Sequence, residues 1–138
     1  MIQAVGLHKC FDNAGGPIEI LIDAHFHLMD GEAVAVVGES GVGKSTFLHL
    51  LGTLDRPDQG TLLFKGKDVC RFDARALAKF RNESVGFVFQ FHHLLPEFST
   101  LENTMMPALI RGVRKTEAQE AAEEILVRVG LKERLHHR

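Results

Sequence analysis

Eight consecutive residues constrain this chain more than any other feature: Gly38-Glu39-Ser40-Gly41-Val42-Gly43-Lys44-Ser45. They fit the pattern G-x-x-x-x-G-K-[ST] without a mismatch, which happens by chance in roughly one chain in two hundred of this length at average composition. The pattern needs a strand before it and a helix after it. Ala33-Val34-Ala35-Val36-Val37 is wholly apolar and rich in β-branched valine, as suits a strand covered on both faces. Behind the loop, Phe47, Leu48, Leu50, Leu51 and Leu54 recur at helical spacing. Such a loop replaces the water around a triphosphate. Glycines let successive backbone N–H groups converge on the phosphate oxygens, and the helix N-terminus adds partial positive charge. Lys44 brings a full charge, and Ser45 brings a hydroxyl oxygen for magnesium.

The bulk properties narrow the setting. The chain has 138 residues, is 45% hydrophobic and 25% charged, and carries a formal net charge of -2. These values fit one ordinary globular domain and give no reason to expect nucleic acid or anionic lipid as a partner. No apolar run approaches the roughly 20 residues of a membrane helix. The first residues lack a signal-peptide pattern. Cys10 and Cys70 are far apart and read as free thiols. Any connection to a membrane is therefore expected through a partner.

Short apolar segments and turn signals predict the order of elements. Strands are expected over residues 2–7, 18–22, 26–28, 33–37, 61–65 and 85–89. Asn13-Ala14-Gly15-Gly16-Pro17, Asp30-Gly31 and Pro57-Asp58-Gln59-Gly60 read as turns, and Gly66 closes the strand before it. Asp73 is placed to cap a short helix. Ser99-Thr100-Leu101-Glu102 and Thr116-Glu117-Ala118-Gln119 both fit a capping box. Pro107 is expected to kink or divide the first of these two helices, and Gly130 to end the second. Strands first, then strand–loop–helix, then mostly helix, indicate an α/β domain with an antiparallel N-terminal portion.

The phosphate loop with Thr46, then Leu50-Leu51-Gly52-Thr53-Leu54-Asp55, Pro57 and Gly60, resembles the ATP-binding subunits of ABC transporters. Val85-Gly86-Phe87-Val88-Phe89-Gln90 resembles their Q-loop strand. The resemblance runs from about Ile2 to the last residue. Within the family, Phe89-Gln90-Phe91-His92-His93-Leu94-Leu95-Pro96-Glu97-Phe98, followed by Leu101-Glu102-Asn103 and Met106-Pro107, is similar to the branch that releases lipoproteins from the bacterial inner membrane. Leu135-His136-His137-Arg138 fits the same branch just ahead of its signature motif. Macrolide-export and cell-division branches share the Q-loop strand and stay open as alternatives.

The resemblance implies a P-loop fold of the ABC ATPase type: a core over about residues 1–90, then a helical region over about 91–138. It implies ATP and magnesium as ligands. Gly38, Glu39, Ser40, Gly41, Val42, Gly43, Lys44, Ser45 and Thr46 would hold the phosphates, and Ser45 and Gln90 the magnesium. Lys44 and Gln90 are the candidate catalytic residues. Phe11, after Leu7-His8-Lys9, sits where the family places an aromatic ring against adenine. Read from the residues alone, Phe11 fits stacking and a core position at a strand end equally well. Residues 90–102 would face integral-membrane transporter subunits at the cytoplasmic face of the inner membrane, and the complete subunit would form a homodimer.

Parts of the family pattern do not occur within residues 1–138. There is no Leu-Ser-Gly-Gly signature, no apolar strand ending in Asp-Glu and no switch histidine beyond it. The expectation is therefore an N-terminal portion of such a domain, with its C-terminal part absent. It would bind nucleotide weakly, hydrolyse little, and expose an open sheet edge with apolar surface. A non-hydrolysing nucleotide-binding module is the alternative from another class. No Asn-Lys-x-Asp motif points to guanine. His25 and His27 alternate on one predicted strand, but without a third ligand a zinc site is disfavoured. His92-His93 fits a docking contact and a packing role equally well.

Overall fold

A computed structural model describes residues 1–138. The chain forms two compact units, Met1–Arg81 and Asn82–Arg138. The first is built on an antiparallel sheet of four strands in the order β2-β1-β3-β4. Its strands are β1 (Ile2–Asn13), β2 (Gly16–Leu28), β3 (Gln59–Phe64) and β4 (Lys67–Asp68). The turn expected around residues 13–17 joins β1 to β2, with Asn13 opposite Gly16. The Asn13 side-chain oxygen accepts from the Ala14 N–H at 2.7 Å, the local bond that makes asparagine a turn residue.

Two strands expected over 18–22 and 26–28 are one continuous β2. The gap between them is bridged by bulged, paired backbone. Gly6 has φ 59° and Asp23 has φ 49°, and the β1–β2 register shifts between Ala4 and Leu7 and again between Leu7 and Lys9. In a regular strand, residues three apart face opposite sides. The first shift puts Ala4 and Leu7 into the same buried cluster, with Leu50, Leu51, Leu62, Val69 and Leu77. At Gly60 on β3, an added Cβ would lie 2.3 Å from the Gly6 carbonyl oxygen. The bulge in β1 thus dictates a glycine on the neighbouring strand.

Two helices cover this cluster. Helix α1 (Lys44–Leu51) buries Leu50 and Leu51, and its Phe47 meets Phe26 edge-on at 5.5 Å. Leu48 and Leu54, expected on the same buried face, are exposed. Helix α2 (Ala74–Ser84) starts where expected: Asp73 accepts from the Ala76 N–H at 2.7 Å. It buries Leu77 and sets Phe80 edge-on against both Phe64 and Phe72.

The structure departs from the sequence reading at two apolar runs. Residues 33–37 and 85–89 join no ladder. Val37 is 86% exposed, and Val88 lies fully in solvent. Apolar composition suits a strand to burial, but a strand exists only where a neighbour supplies hydrogen bonds. β1 to β4 pair among themselves and leave neither run a partner. The two compact units divide after Arg81.

In the second unit Asn82 is fastened to the following helix, α3 (Thr100–Ile110). It donates to the Pro107 carbonyl at 3.0 Å, and its own carbonyl accepts from Arg111 at 2.9 Å. Helix α3 packs on α4 (Lys115–Arg128) through Leu101, Met105, Ala118, Ala122 and Leu126. Alanines four apart lie on one face of α4 and admit the larger side chains of α3. The capping box at Ser99 forms on both sides: the Glu102 N–H donates to Ser99 Oγ, and Glu102 accepts from the Ser99 N–H. Pro107 does not divide α3, because it lies in the last turn, where its missing N–H removes one bond near an end that frays anyway. The second capping box does not form. α4 starts two residues early, after Arg114, whose guanidinium takes Glu117 as a salt-bridge partner. Gly130 ends α4 as expected, with φ 79° and the Leu131 N–H returning to the Leu126 carbonyl at 2.8 Å.

Candidate nucleotide-binding site

The glycine-rich loop lies between the unpaired run 33–37 and helix α1, and its shape comes from the surfaces it rests on. Gly43 has φ 99°, a conformation costly for any residue with a side chain. A Cβ there would also come within 2.8 Å of Ile20 Cγ2 and 3.2 Å of the Ile20 carbonyl oxygen. β2 therefore forms a wall against the end of the loop. The pattern demands glycine at this position because of that wall as well as because of its ligand.

Helix α1 begins at Lys44. Its first helical bond runs from the Phe47 N–H to the Gly43 carbonyl at 2.8 Å. The N–H groups of Lys44, Ser45 and Thr46 thus precede the first intrahelical donor and have no acceptor within the helix. Gly43 has no side chain to cap them, and no acidic residue stands in the first turn. Three donors and the positive end of a helix are left facing one way, which is the chemistry of an anion site.

Lys44 lies across the mouth of this loop. Its ammonium donates to the Gly38 carbonyl at 2.9 Å and to the Glu39 carbonyl at 2.5 Å. An ammonium has three N–H bonds, so one remains for a phosphate oxygen. Ser45 is exposed at the first turn, while Thr46 is half-buried. Glu39, Ser40, Gly41 and Val42 are exposed along the loop. The donors suit phosphate. Ser45 offers one neutral oxygen, in keeping with magnesium, which keeps most of its ligands as phosphate oxygens and water.

Phe11 is near the turn of the β1–β2 hairpin, opposite Ile18. It is 44% exposed and belongs to neither apolar cluster. That geometry argues against a core role and leaves ring surface free for a planar ligand. Gln90 lies in the second unit and is exposed. Just before it, Phe87 and Phe89 stack with centroids 5.2 Å apart, and His93 meets Phe89 edge-on at 5.0 Å. His93 thus has a packing contact. Phe91, Leu94 and Leu95 are exposed beyond it. His25 pairs with Asp23 at 2.9 Å, and no group of three or more metal-ligating side chains forms. Cys10 and Cys70 are free, and burial pushes the Cys70 thiol upward. No helix is long and apolar enough to cross a membrane.

Two residues that sequence reasoning passed over organise these surfaces. Asn103 on α3 donates to the carbonyls of Leu95, Phe98 and Ser99 and accepts from the Leu95 N–H at 2.9 Å, fixing the loop ahead of α3. An asparagine in the second turn of a predicted helix was the available signal, since such a side chain competes for nearby backbone. Lys9, on β1 beside Phe11, is the other. It is only 9% exposed, and a lysine buried in a strand signals a partner that sequence cannot name.

Comparison with known proteins bears on the whole chain. The ABC transporter family profile matches residues 21–138. The lipoprotein-releasing system ATP-binding protein LolD of Idiomarina loihiensis is 51% identical over 138 residues, which cover all of this chain and 60% of that protein. LolD of Syntrophus aciditrophicus is 52% identical over the same length, covering 62% of it. Among solved structures, the ATP-binding cassette MJ0796, a dimer bound to ADP and Pi, superposes with a TM-score of 0.89 at 30% identity. All of this chain and 61% of that one are covered. The chain thus spans about 60% of the length of the relatives it matches. With a family profile covering most of its residues and the phosphate loop in place, the chain belongs to the ABC transporter family.

Proposed function

We propose that residues 1–138 are the nucleotide-binding N-terminal part of an energy-coupling ATPase subunit that drives release of lipoproteins from the bacterial inner membrane. The observation that carries this reading is the loop: three unpaired N–H groups at the start of α1 with the Lys44 ammonium across them. The N–H groups of Lys44, Ser45 and Thr46 hold the phosphate oxygens, and Lys44 turns its remaining donor to the terminal phosphates. Ser45 would meet magnesium, which when bound neutralises charge on the phosphates. Phe11 offers its ring to the adenine. Gln90 acts at the magnesium or the attacking water in the complete site. The Gly41 to Thr46 segment forms one face of that site, and a second copy of the complete subunit supplies the other.

The identity of the transported cargo rests on similarity to LolD proteins along the whole chain. The membrane-subunit contact is assigned to residues 90–102, where Phe91, Leu94 and Leu95 are exposed and Asn103 holds the backbone of Leu95. The protein then resides at the cytoplasmic face of the membrane through its partners. The test is co-purification of the full-length protein with its membrane subunits, followed by ATP-driven release of a lipoprotein from proteoliposomes. Release that is lost in Lys44→Ala supports the assignment. A complex that couples ATP to macrolide export, or to no lipoprotein release, overturns the cargo. The 138-residue chain by itself binds ATP weakly and does not turn it over. Hydrolysis by it at about 1 per second or faster, abolished in Lys44→Ala, contradicts that.

A further inference from the structure

Lys9 is one of only two buried polar or charged residues. Burying an ammonium is costly unless charge and hydrogen bonds surround it. Lys9 Nζ donates to the Arg56 carbonyl at 2.9 Å and lies 3.0 Å from Asp55 Oδ2 and 3.8 Å from Asp58 Oδ1. These acceptors are themselves held in place. Asp55 takes the Arg56 N–H at 2.7 Å, and Asp58 takes the Cys10 N–H at 2.7 Å. The Asp58 N–H returns to the His8 carbonyl at 2.9 Å. The ammonium is thus a fixed point, tied to the turn between α1 and β3.

The same Nζ lies 5.1 Å from the centroid of the Phe11 ring, within the range of a cation–π contact. The surroundings of Phe11 give this contact its importance. Asp12, Asn13, Ala14 and Gly15 beyond it are exposed, and so is Ile18 across the hairpin. No other aromatic ring packs against Phe11. A phenyl ring beside a hairpin turn, outside both apolar clusters, would otherwise sample several rotamers.

We propose that Lys9 is a positioning residue for the nucleotide base: its fixed ammonium holds one face of the Phe11 ring and thereby presents the other face to the purine. This rests on the reading of Phe11 as the platform for the base. Lys9 touches neither base nor phosphate. It acts through the ring, by reducing the freedom that stacking must otherwise remove.

The test is calorimetric titration of the protein with ATP and, on the same sample, with inorganic triphosphate. The ratio of the two affinities isolates the nucleoside from the phosphates and is insensitive to the fraction of folded protein. Lys9→Met is expected to lower the ratio about threefold to fivefold, with triphosphate affinity unchanged. Lys9→Arg, which keeps a cation by the ring, restores it. Lys9→Gln keeps a donor for the Arg56 carbonyl without the charge, and serves where the methionine variant does not fold. It is expected to behave as Lys9→Met does. In a Phe11→Leu background, either substitution is expected to change the ratio no further. A ratio that falls in Phe11→Leu but not in Lys9→Met or Lys9→Gln overturns the role of Lys9 and leaves the platform standing. A ratio unmoved in Phe11→Leu overturns the platform itself. A loss in the Lys9 variants that is as large without the ring as with it shows that Lys9 acts elsewhere, and also overturns the proposal.

Discussion

The β1–β2 hairpin and the run of residues 33–37 are both made from strand-forming residues, and they end differently. The hairpin is paired from Ile2–Leu28 to Asn13–Gly16, while the run joins no ladder and holds Val37 in solvent. The hairpin carries its own partner, brought back by a turn of two residues. The run depends on a neighbour brought from elsewhere. Composition alone does not distinguish the two cases, because it reports suitability for burial and says nothing of who supplies the hydrogen bonds. The phosphate loop borrows from the better-supported region, since its last glycine rests on Ile20 of β2. The loop can therefore keep its shape although the segment leading into it is unpaired.

The sharpest way to break this contrast is in the hairpin's core. Leu7 is 0% exposed, and Leu7→Ala is expected to cost about 3 kcal/mol, within the range for a fully buried leucine. Chemical denaturation checks it, with hydrogen exchange assigning the loss to Met1–Arg81. Gly43→Ala comes next. The methyl meets Ile20 and the backbone is held at φ 99°, so a loss of about 1–3 kcal/mol is expected. A drop in triphosphate affinity should accompany it, because the loop is pushed off its wall. If Gly43→Ala binds triphosphate as wild type does, β2 does not shape the loop.

The second unit extends the same lesson to helices. The capping box at the start of α3 is as local as the hairpin turn, and Ser99→Ala is expected to cost about 1 kcal/mol. Its partner Glu102 adds a pH dependence. The N–H bond from the Ser99 backbone holds its carboxyl below the ordinary 4.5. A carboxyl depressed on folding contributes stability that is complete above the unfolded value and is lost as pH falls through the lower folded value. Protection of α3 amides should therefore decline below about pH 4.5, and Glu102→Gln should remove that decline. The smallest effect belongs to the unpaired runs. Val37→Ser and Val88→Ser are expected to change stability by less than about 0.5 kcal/mol, whereas a larger loss would mean that these runs are paired in solution.

What the residues revealed in advance follows the same division. The 13–17 turn, the Asp73 cap, the Ser99 box and Gly130 were legible because each is satisfied within a few residues. The phosphate loop was legible for the same reason, as its donors come from one short segment. The bulges at Gly6 and Asp23 were not, since each is a mismatch between two strands and neither strand shows it alone. Thr116 misled because Arg114, just before it, offered Glu117 a charged partner and started α4 earlier. Lys9 and Asn103 were missed because their partners, the 55–58 turn and the 95–99 loop, are defined only by the fold.

The central claim is that the start of α1 receives the phosphates. Amide chemical shifts recorded on adding ATP with magnesium test it most directly. The account predicts that the Lys44, Ser45 and Thr46 amides move most, that inorganic triphosphate moves the same three, and that Lys44→Ala abolishes the response. Binding of ATP with those three amides unmoved, or with equal affinity in Lys44→Ala, would contradict it.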